Sequence, residues 1–215
     1  MTMRKFITLM PLFLSSYALF AQNVTADSST APWQFSVSQY YYFDSYDNAF
    51  MFTGYAEHKQ LHLEARYNYE DRNTLSVFAG WAFEGGKKIQ FNIKPMMGIL
   101  AGNTKGFAPA LETQITYKIF DFYAESEYVI NVNGTNEKEN DNNYFYAWRE
   151  LAITPIPCLR TGITGQTTHL WNTKTSVQRG VFAEYSLWKL TTGFYYFIHS
   201  ASGNFAIISL SMDFN

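Results

Sequence analysis

Residues 61–70 have the sequence LHLEARYNYE, in which apolar and polar side chains alternate along the chain. Successive side chains of a β-strand point to opposite faces of the sheet, so a period of two places each class on one face. The apolar face would carry Leu61, Leu63, Ala65, Tyr67 and Tyr69, and the polar face His62, Glu64, Arg66, Asn68 and Glu70. The stretch therefore predicts a strand that separates an apolar from a polar environment.

The same alternation recurs from Trp33 to Phe214, in segments that are each followed by a turn. We predict strands over 33–43, 48–57, 60–70, 73–83, 87–100, 107–119, 122–132, 143–154, 158–168, 176–185, 188–198 and 204–214. Arg149 and Arg179 fall on the apolar parity of their segments. We therefore expect a bulge or a shifted register at both places.

The predicted links between strands differ in length at the two ends of the sheet. Short links alternate with longer ones, of which 133–142 and 169–175 are the longest. Short turns at one end and long loops at the other are typical of outer-membrane barrels, whose strands of about 9–11 residues cross the hydrocarbon layer. The pattern predicts an all-β fold, namely an up-and-down, transmembrane, antiparallel β-barrel of about twelve strands.

Composition favours lipid rather than water around this barrel. Charged residues make up 16% of the chain and aromatic residues 19%, whereas ordinary soluble domains contain about 25% charged residues. A soluble barrel with its apolar face inward would also alternate, but so few charges would leave its outer surface poorly solvated. Twelve strands also enclose a lumen that apolar side chains alone do not easily fill.

The N-terminal residues have the features of an export signal. Arg4 and Lys5 precede an apolar run over 6–14, and small residues follow. This order is typical of a secretory signal peptide. We expect a signal peptide at 1–21, a flexible periplasmic N-terminus at 22–32 and the outer-membrane barrel at 33–215.

The last predicted strand has apolar residues at alternate positions, namely Ile208, Leu210, Met212 and Phe214. This ending resembles the C-terminal signal of bacterial outer-membrane β-barrel proteins, although Asn215 follows the aromatic residue that is usually last in that family. The resemblance covers the mature chain as a pattern and not as residue identity. It implies a place in the bacterial outer membrane, contact with outer-membrane lipid, and recognition of the C-terminal strand by the barrel-assembly machinery.

On this interpretation the polar parity of the strands lines the lumen. Its bases would be Arg66, Lys88, Lys94, Lys118, Arg160 and Lys189, and its acids Glu64, Glu112, Glu125, Glu127, Glu150 and Glu184. The two signs are near balance, so the charges could pair across neighbouring strands, with Glu112 and Lys118 beside Glu125 and Glu127. They could instead form a ladder that guides a polar solute through a narrow channel.

Aromatic side chains share the polar parity. The segment 144–148 directs Tyr144, Tyr146 and Trp148 toward the lumen, and other strands add Tyr40, Tyr42, Phe78, Tyr123, Tyr195 and Phe197. Such rings could stack on a sugar or a nucleobase, or they could simply fill a small barrel.

The sequence favours a narrow passive, porin-like channel for small polar solutes. A structural or adhesive barrel with a plugged lumen is the alternative, and a lipid-modifying outer-membrane enzyme is a third hypothesis. His199-Ser200 faintly resembles the His-x-Ser of outer-membrane lipid hydrolases, but adjacent strand residues face opposite ways, so no catalytic residue is assigned. No ligand cluster predicts a metal or another cofactor, and a formal net charge of −2 does not predict nucleic-acid binding.

Overall fold

The computed structural model describes residues 31–44, 48–133, 143–170, 173–198 and 203–214. In these ranges the chain forms a sheet of thirteen strands, and no helix there is long and apolar enough to cross a membrane. The strands are β1 (Gln34–Phe43), β2 (Ala49–His58), β3 (Leu61–Tyr67), β4 (Thr74–Trp81), β5 (Phe83–Gly85), β6 (Gln90–Gly102), β7 (Gly106–Tyr117), β8 (Phe120–Asn131), β9 (Tyr144–Ile156), β10 (Leu159–Leu170), β11 (Ser176–Leu187), β12 (Leu190–Ile198) and β13 (Phe205–Phe214). The predicted signal peptide at 1–21 and most of the predicted segment 22–32 lie outside the described residues.

The strands close into one antiparallel barrel. β1 pairs with β13, and β6 pairs with both β4 and β5, so these two short strands are parts of one barrel strand. The predicted up-and-down barrel of twelve strands is therefore confirmed. Pairing with β6 lapses between Gly80 and Phe83, opposite Pro95, which has no N–H to donate to a ladder.

The two ends of the barrel differ. At the end that carries Gln34 and Phe214, here called the turn end, two-residue links join β2 to β3 and β7 to β8. Lys59 and Lys118 adopt positive φ angles in these links, as tight hairpins require. The opposite end, here called the loop end, carries the longest link, which joins β8 to β9 over residues 132–143.

The outer face of the barrel is apolar. Ile99, Ile163 and Ile198 are 62%, 59% and 66% exposed. Exposed Leu, Val, Phe and Tyr side chains share this face on most of the strands. A continuous apolar surface of this extent is rare on soluble proteins and suits contact with hydrocarbon. The inner face instead carries charged residues that are buried or half-buried, among them Arg66 and Glu64.

The expected irregularity at Arg149 and Arg179 is wrong. β9 pairs with β10, and β10 with β11, without any shift at this level, so that Arg149 lies opposite Gly165 and Gly165 opposite Arg179. Both arginines are exposed on the outer face. The poor alternation of these segments therefore reflects two charges on an apolar surface and not a change of register.

Tyr69 also departs from the simple alternation. β3 ends at Tyr67, and Asn68 follows with a φ of 59°, a left-handed conformation that asparagine tolerates. The chain bends there, and the Tyr69 hydroxyl donates a hydrogen bond to Glu125 inside the barrel, at 3.1 Å. Tyr69 was expected on the apolar outer face, but the turn redirects it into the lumen.

The outer face generates a test of its environment. Phe194 lies in the middle of β12 and Leu190 begins the same strand on the same face, with exposures of 51% and 40%. Phe194→Arg is expected to lower the free energy of unfolding in a bilayer by about 2–4 kcal/mol, because a guanidinium at mid-depth loses its hydration. The matched variant Leu190→Arg should cost only about 0–1 kcal/mol near the interface. Denaturant titration in phospholipid vesicles measures both, and equal losses would contradict a lipid-facing surface.

Candidate functional site

The barrel interior contains a cavity of about 530 Å³. Its wall is built from carboxylates and aromatic rings of many strands, including Glu64, Glu112, Glu125, Glu150, Glu184, Tyr40, Tyr55, Tyr123, Tyr146 and Tyr195. Three groups of ion pairs, centred on Arg66, Lys94 and Arg160, surround this space.

Arg66 is fully buried and gathers glutamates from two strands that are not neighbours. Its Nε lies 3.0 Å from Glu64 Oε1 on the same strand, β3. Its Nη1 lies 2.7 Å from Glu125 Oε1 and 3.1 Å from Glu127 Oε2, both on β8. The Phe78 ring packs against the guanidinium, with Cζ 4.2 Å from the ring centroid. One permanent cation thus ties β3 to β8.

Glu70 completes this group from the link after β3. One of its oxygens lies 3.6 Å from Arg66 Nη1, and Ser76 Oγ donates a hydrogen bond of 2.7 Å to its carboxylate. Burial raises the pKa of the Glu70 carboxyl above its usual value. The sequence predicted Glu70 on the polar face but gave no indication that it would share a guanidinium with three other glutamates.

Lys94 on β6 joins a second group. Its Nζ lies 2.8 Å from Glu57 Oε1 on β2 and 2.9 Å from Glu112 Oε1 on the neighbouring strand β7. His62 Nδ1 lies 2.7 Å from the same Glu57 oxygen, and His62 Nε2 lies 3.5 Å from Glu64. His62 therefore links the Lys94 group to the Arg66 group.

Arg160 on β10 centres the third group. Its Nη1 lies 2.6 Å from Glu150 on β9 and 2.9 Å from Glu184 on β11. Its Nε donates to Asp121 Oδ1 at 2.8 Å, which reaches across to β8. The Phe182 ring lies 5.0 Å from the guanidinium carbon. This group closes one side of the cavity.

The predicted aromatic patch lies inside the barrel and joins these groups. Tyr144 Oη donates to the Glu70 carbonyl at 2.6 Å, and Tyr146 Oη donates to Gln166 Oε1 at 3.1 Å. Trp148 Nε1 donates to Glu150 at 2.9 Å, and its ring stands edge-on to Tyr195 at a centroid distance of 5.5 Å. Since Trp148 and Tyr195 belong to β9 and β12, the aromatic contacts narrow the lumen across non-adjacent strands.

Three of the four predicted lumen lysines do not lie with the other predicted lumen residues. Lys88, Lys118 and Lys189 lie in links at the turn end and not on strands, because β6 and β12 begin later and β7 ends earlier than alternation suggested. Lys88 and Lys118 are exposed. The remaining predicted residues, Glu64, Arg66, Lys94, Glu112, Glu125, Glu127, Tyr144, Tyr146, Trp148, Glu150, Arg160 and Glu184, lie on the inner side of the wall. That they line a conducting channel stays a prediction.

The expected pairing of Glu112 and Lys118 with Glu125 and Glu127 is wrong. Glu112 lies directly opposite Glu125 across β7 and β8, and Lys118 lies in the turn between these strands. The two glutamates are instead held by Lys94 and Arg66, from other strands. Like charges opposite each other repel, so these outside cations are needed to stabilise the pair.

Glu57 and Asp121 are inner acids that the sequence analysis did not identify. Glu57 fell at the predicted end of its strand, and Asp121 fell in a predicted link, because β2 and β8 extend beyond the predicted boundaries. Glu57 could have been found from the alternation within the predicted strand, because it has the same parity as the inward Tyr55. With Glu57 and Asp121 included and three lysines removed, carboxylates outnumber basic groups along the inner wall.

Other predicted features bear less on the interior. No group of three or more His, Cys, Asp or Glu residues in the described ranges has the arrangement of a metal site. His199 and Ser200, considered for lipid hydrolysis, lie outside the described residues, as does the final residue Asn215.

Solved structures with a similar fold include porins. The NanC porin matches with a TM-score of 0.60 and 11% identity, over 83% of this chain and 98% of its own length. The KdgM porin matches with a TM-score of 0.60 and 11% identity, over 84% and 99%. A KdgM porin in complex with disordered oligogalacturonate matches with a TM-score of 0.58 and 10% identity, over 84% and 99%. No protein-family model and no curated protein matches the chain. At these identities the likeness establishes a common fold.

The Arg66 group generates a test of its structural role. Arg66→Met is expected to lower the free energy of unfolding by about 3–5 kcal/mol, because it leaves buried glutamates without their cation. Adding Glu125→Gln should recover part of this loss, since one unpaired charge is then removed. Lys118→Met, at an exposed turn, should change stability by no more than about 0.5 kcal/mol. A double-mutant cycle measured by denaturant titration gives the coupling, and strictly additive losses would contradict the pairing.

Proposed function

We propose that the protein is a bacterial outer-membrane barrel that acts as a narrow passive channel for small polar solutes. The observation that carries the proposal is a cavity walled by charged and hydroxyl-bearing side chains within a barrel whose outer face is apolar. An apolar exterior suits lipid, and a polar interior suits water and solutes that carry their own hydrogen-bonding groups. The fold shared with the NanC and KdgM porins supports this proposal.

The proposed orientation follows from the two ends of the barrel. Short turns face the periplasm in outer-membrane barrels, so the turn end, where β1 begins and β13 ends, would be periplasmic and the loop end extracellular. Ile208, Leu210 and Phe214 lie exposed on the outer face of β13. This is the surface through which the assembly machinery would recognise the C-terminal strand, as the resemblance to outer-membrane proteins implies.

The charge of the inner wall narrows the proposed solute class. Arg66, Lys94 and Arg160 are its permanent cations, and they are opposed by the carboxylates of Glu57, Glu64, Glu112, Asp121, Glu125, Glu127, Glu150 and Glu184. An excess of one sign in a pore raises the local concentration of the opposite mobile ion. The proposed channel therefore favours cations and neutral polar solutes over anions, unlike a channel for acidic sugars, which needs a basic track.

Planar-bilayer recording tests the channel directly. Purified protein should give discrete conductance steps. Under a KCl gradient, the reversal potential should have the same sign as the equilibrium potential of K⁺. Glu112→Gln together with Glu184→Gln should move the reversal potential toward zero, because both side chains line the cavity. Absence of conductance, with no solute uptake by liposomes, would contradict the channel and favour a plugged structural barrel. Conductance with a preference for anions would contradict the proposed cation preference but not the proposed channel.

Removing an obstructing ring gives a second test of the channel. Trp148→Ala is expected to raise the single-channel conductance, because the indole contacts Tyr195 and Phe197 and reduces the free cross-section. Phe194→Ala removes a ring of similar bulk from the outer face of β12 and serves as the matched control. Unchanged conductance in Trp148→Ala, with the barrel folded, would place the narrowest part of the pathway elsewhere.

A further inference from the structure

Two arginines stand on the apolar outer face of the barrel. Arg149 on β9 and Arg179 on β11 are exposed, and they flank Gly165 of β10 in a single row of paired residues. Toward the loop end the outer face of β10 continues with Thr167 and His169, and Arg149 Nη2 donates a hydrogen bond to Thr167 Oγ1. These five residues form the outer basic patch.

The position of these two charges sets them apart from the other charged residues of the strands. All the others share the parity of the inner face or rim, namely Glu57, Glu64, Arg66, Glu84, Lys94, Glu112, Asp121, Glu125, Glu127, Glu150, Arg160, Glu184 and Asp213. Both exceptions are cations, both are arginines, and both lie at the same level of the sheet. Among the described residues, neither of them forms an ion pair with a carboxylate.

The spacing of the patch leaves room for a ligand between the two guanidinium groups. Strands two apart in a sheet have backbones about 10 Å apart, so both long side chains can lean over the intervening strand. A Cβ added at Gly165 would meet only one atom within 4 Å, the carbonyl oxygen of Gln178 at 3.3 Å. No side chain therefore rises from β10 at the centre of the patch.

The depth of the patch indicates which part of a lipid it would meet. β9 and β11 both begin at the loop end, and Arg149 and Arg179 lie in the loop-end halves of these strands. An arginine on the lipid face costs about 2–4 kcal/mol at mid-depth and about 0–1 kcal/mol near the interface. An anionic headgroup at that level would offset the remaining cost, and guanidinium forks bind phosphoryl oxygens in a bidentate manner.

We propose that the outer basic patch binds the phosphate of a phosphorylated lipid in the leaflet that surrounds the loop end. Arg149 and Arg179 hold the phosphoryl group from either side over Gly165, and Thr167 positions Arg149 through its hydroxyl. The inference rests on the membrane location given in the proposed function but is independent of whether the lumen conducts. It adds a lipid site on the outside of the barrel to the solute path inside.

Native mass spectrometry of the folded protein in a phosphate-free detergent tests the site. The probe is a bis-phosphorylated lipid A, compared with the same lipid after its phosphates are removed. We expect the wild-type protein to retain the phosphorylated form, and Arg149→Gln with Arg179→Gln to weaken its apparent Kd at least tenfold. Lys105→Gln removes one exposed charge at the same end and should leave the Kd within twofold.

Three outcomes would overturn the proposal. Equal retention of the phosphorylated and dephosphorylated lipids would show that phosphate is not recognised. Equal retention by the double variant and the wild type would show that the arginines are not involved. Displacement of the lipid by millimolar inorganic phosphate would show a site for free phosphate. Since the double variant removes charges from an apolar surface, its unfolding midpoint in detergent should equal or exceed that of the wild type, which separates lost binding from lost folding.

Discussion

The structure depends on one constraint, the closure of an antiparallel sheet on itself through the pairing of β1 with β13. Closure satisfies the hydrogen-bonding groups of every strand edge and leaves each side chain only two directions, into the lumen or out of the barrel. The period of two then sorts the sequence into an apolar exterior and a polar interior. Tyr69, which lies inside, and Arg149, which lies outside, are exceptions to this alternation.

Inside the barrel, the same closure forces charged groups from many strands into a small volume. Carboxylates away from bulk water need cations, and here a few guanidinium and ammonium groups each serve several acids. Arg66 joins β3 to β8, and Lys94 joins β6 to β2, so the ion pairs reach across the lumen as well as along its wall. These contacts stabilise the barrel and at the same time narrow the path that a solute would follow. The structural role and the proposed transport role thus fall on the same residues.

The exterior and the interior impose opposite demands on a charged side chain. An inner arginine is stabilised by protein carboxylates, whereas an outer arginine must find its counter-charge in the surroundings. Arg160 is held by Asp121, Glu150 and Glu184. Arg149 and Arg179 have no such partners among the described residues. The two kinds of arginine therefore indicate two kinds of environment, one supplied by the protein and one, on the proposed location, supplied by the membrane.

Alternation in the sequence predicted the strand period, a barrel of about twelve strands and the inward parity of residues such as Glu64 and Trp148, because alternation is a local property of neighbouring residues. The lengths of the predicted links indicated that the two ends differ. It did not determine which inner charges meet, since Arg66 and Glu125 are far apart in the chain and become partners only when the barrel closes. Strand ends were also decided by tertiary structure: hairpin geometry carried Lys118 into a turn, and the extension of β8 brought Asp121 to Arg160. The excess of acid in the lumen follows from those boundary positions, where a shift of one or two residues changes the charge balance.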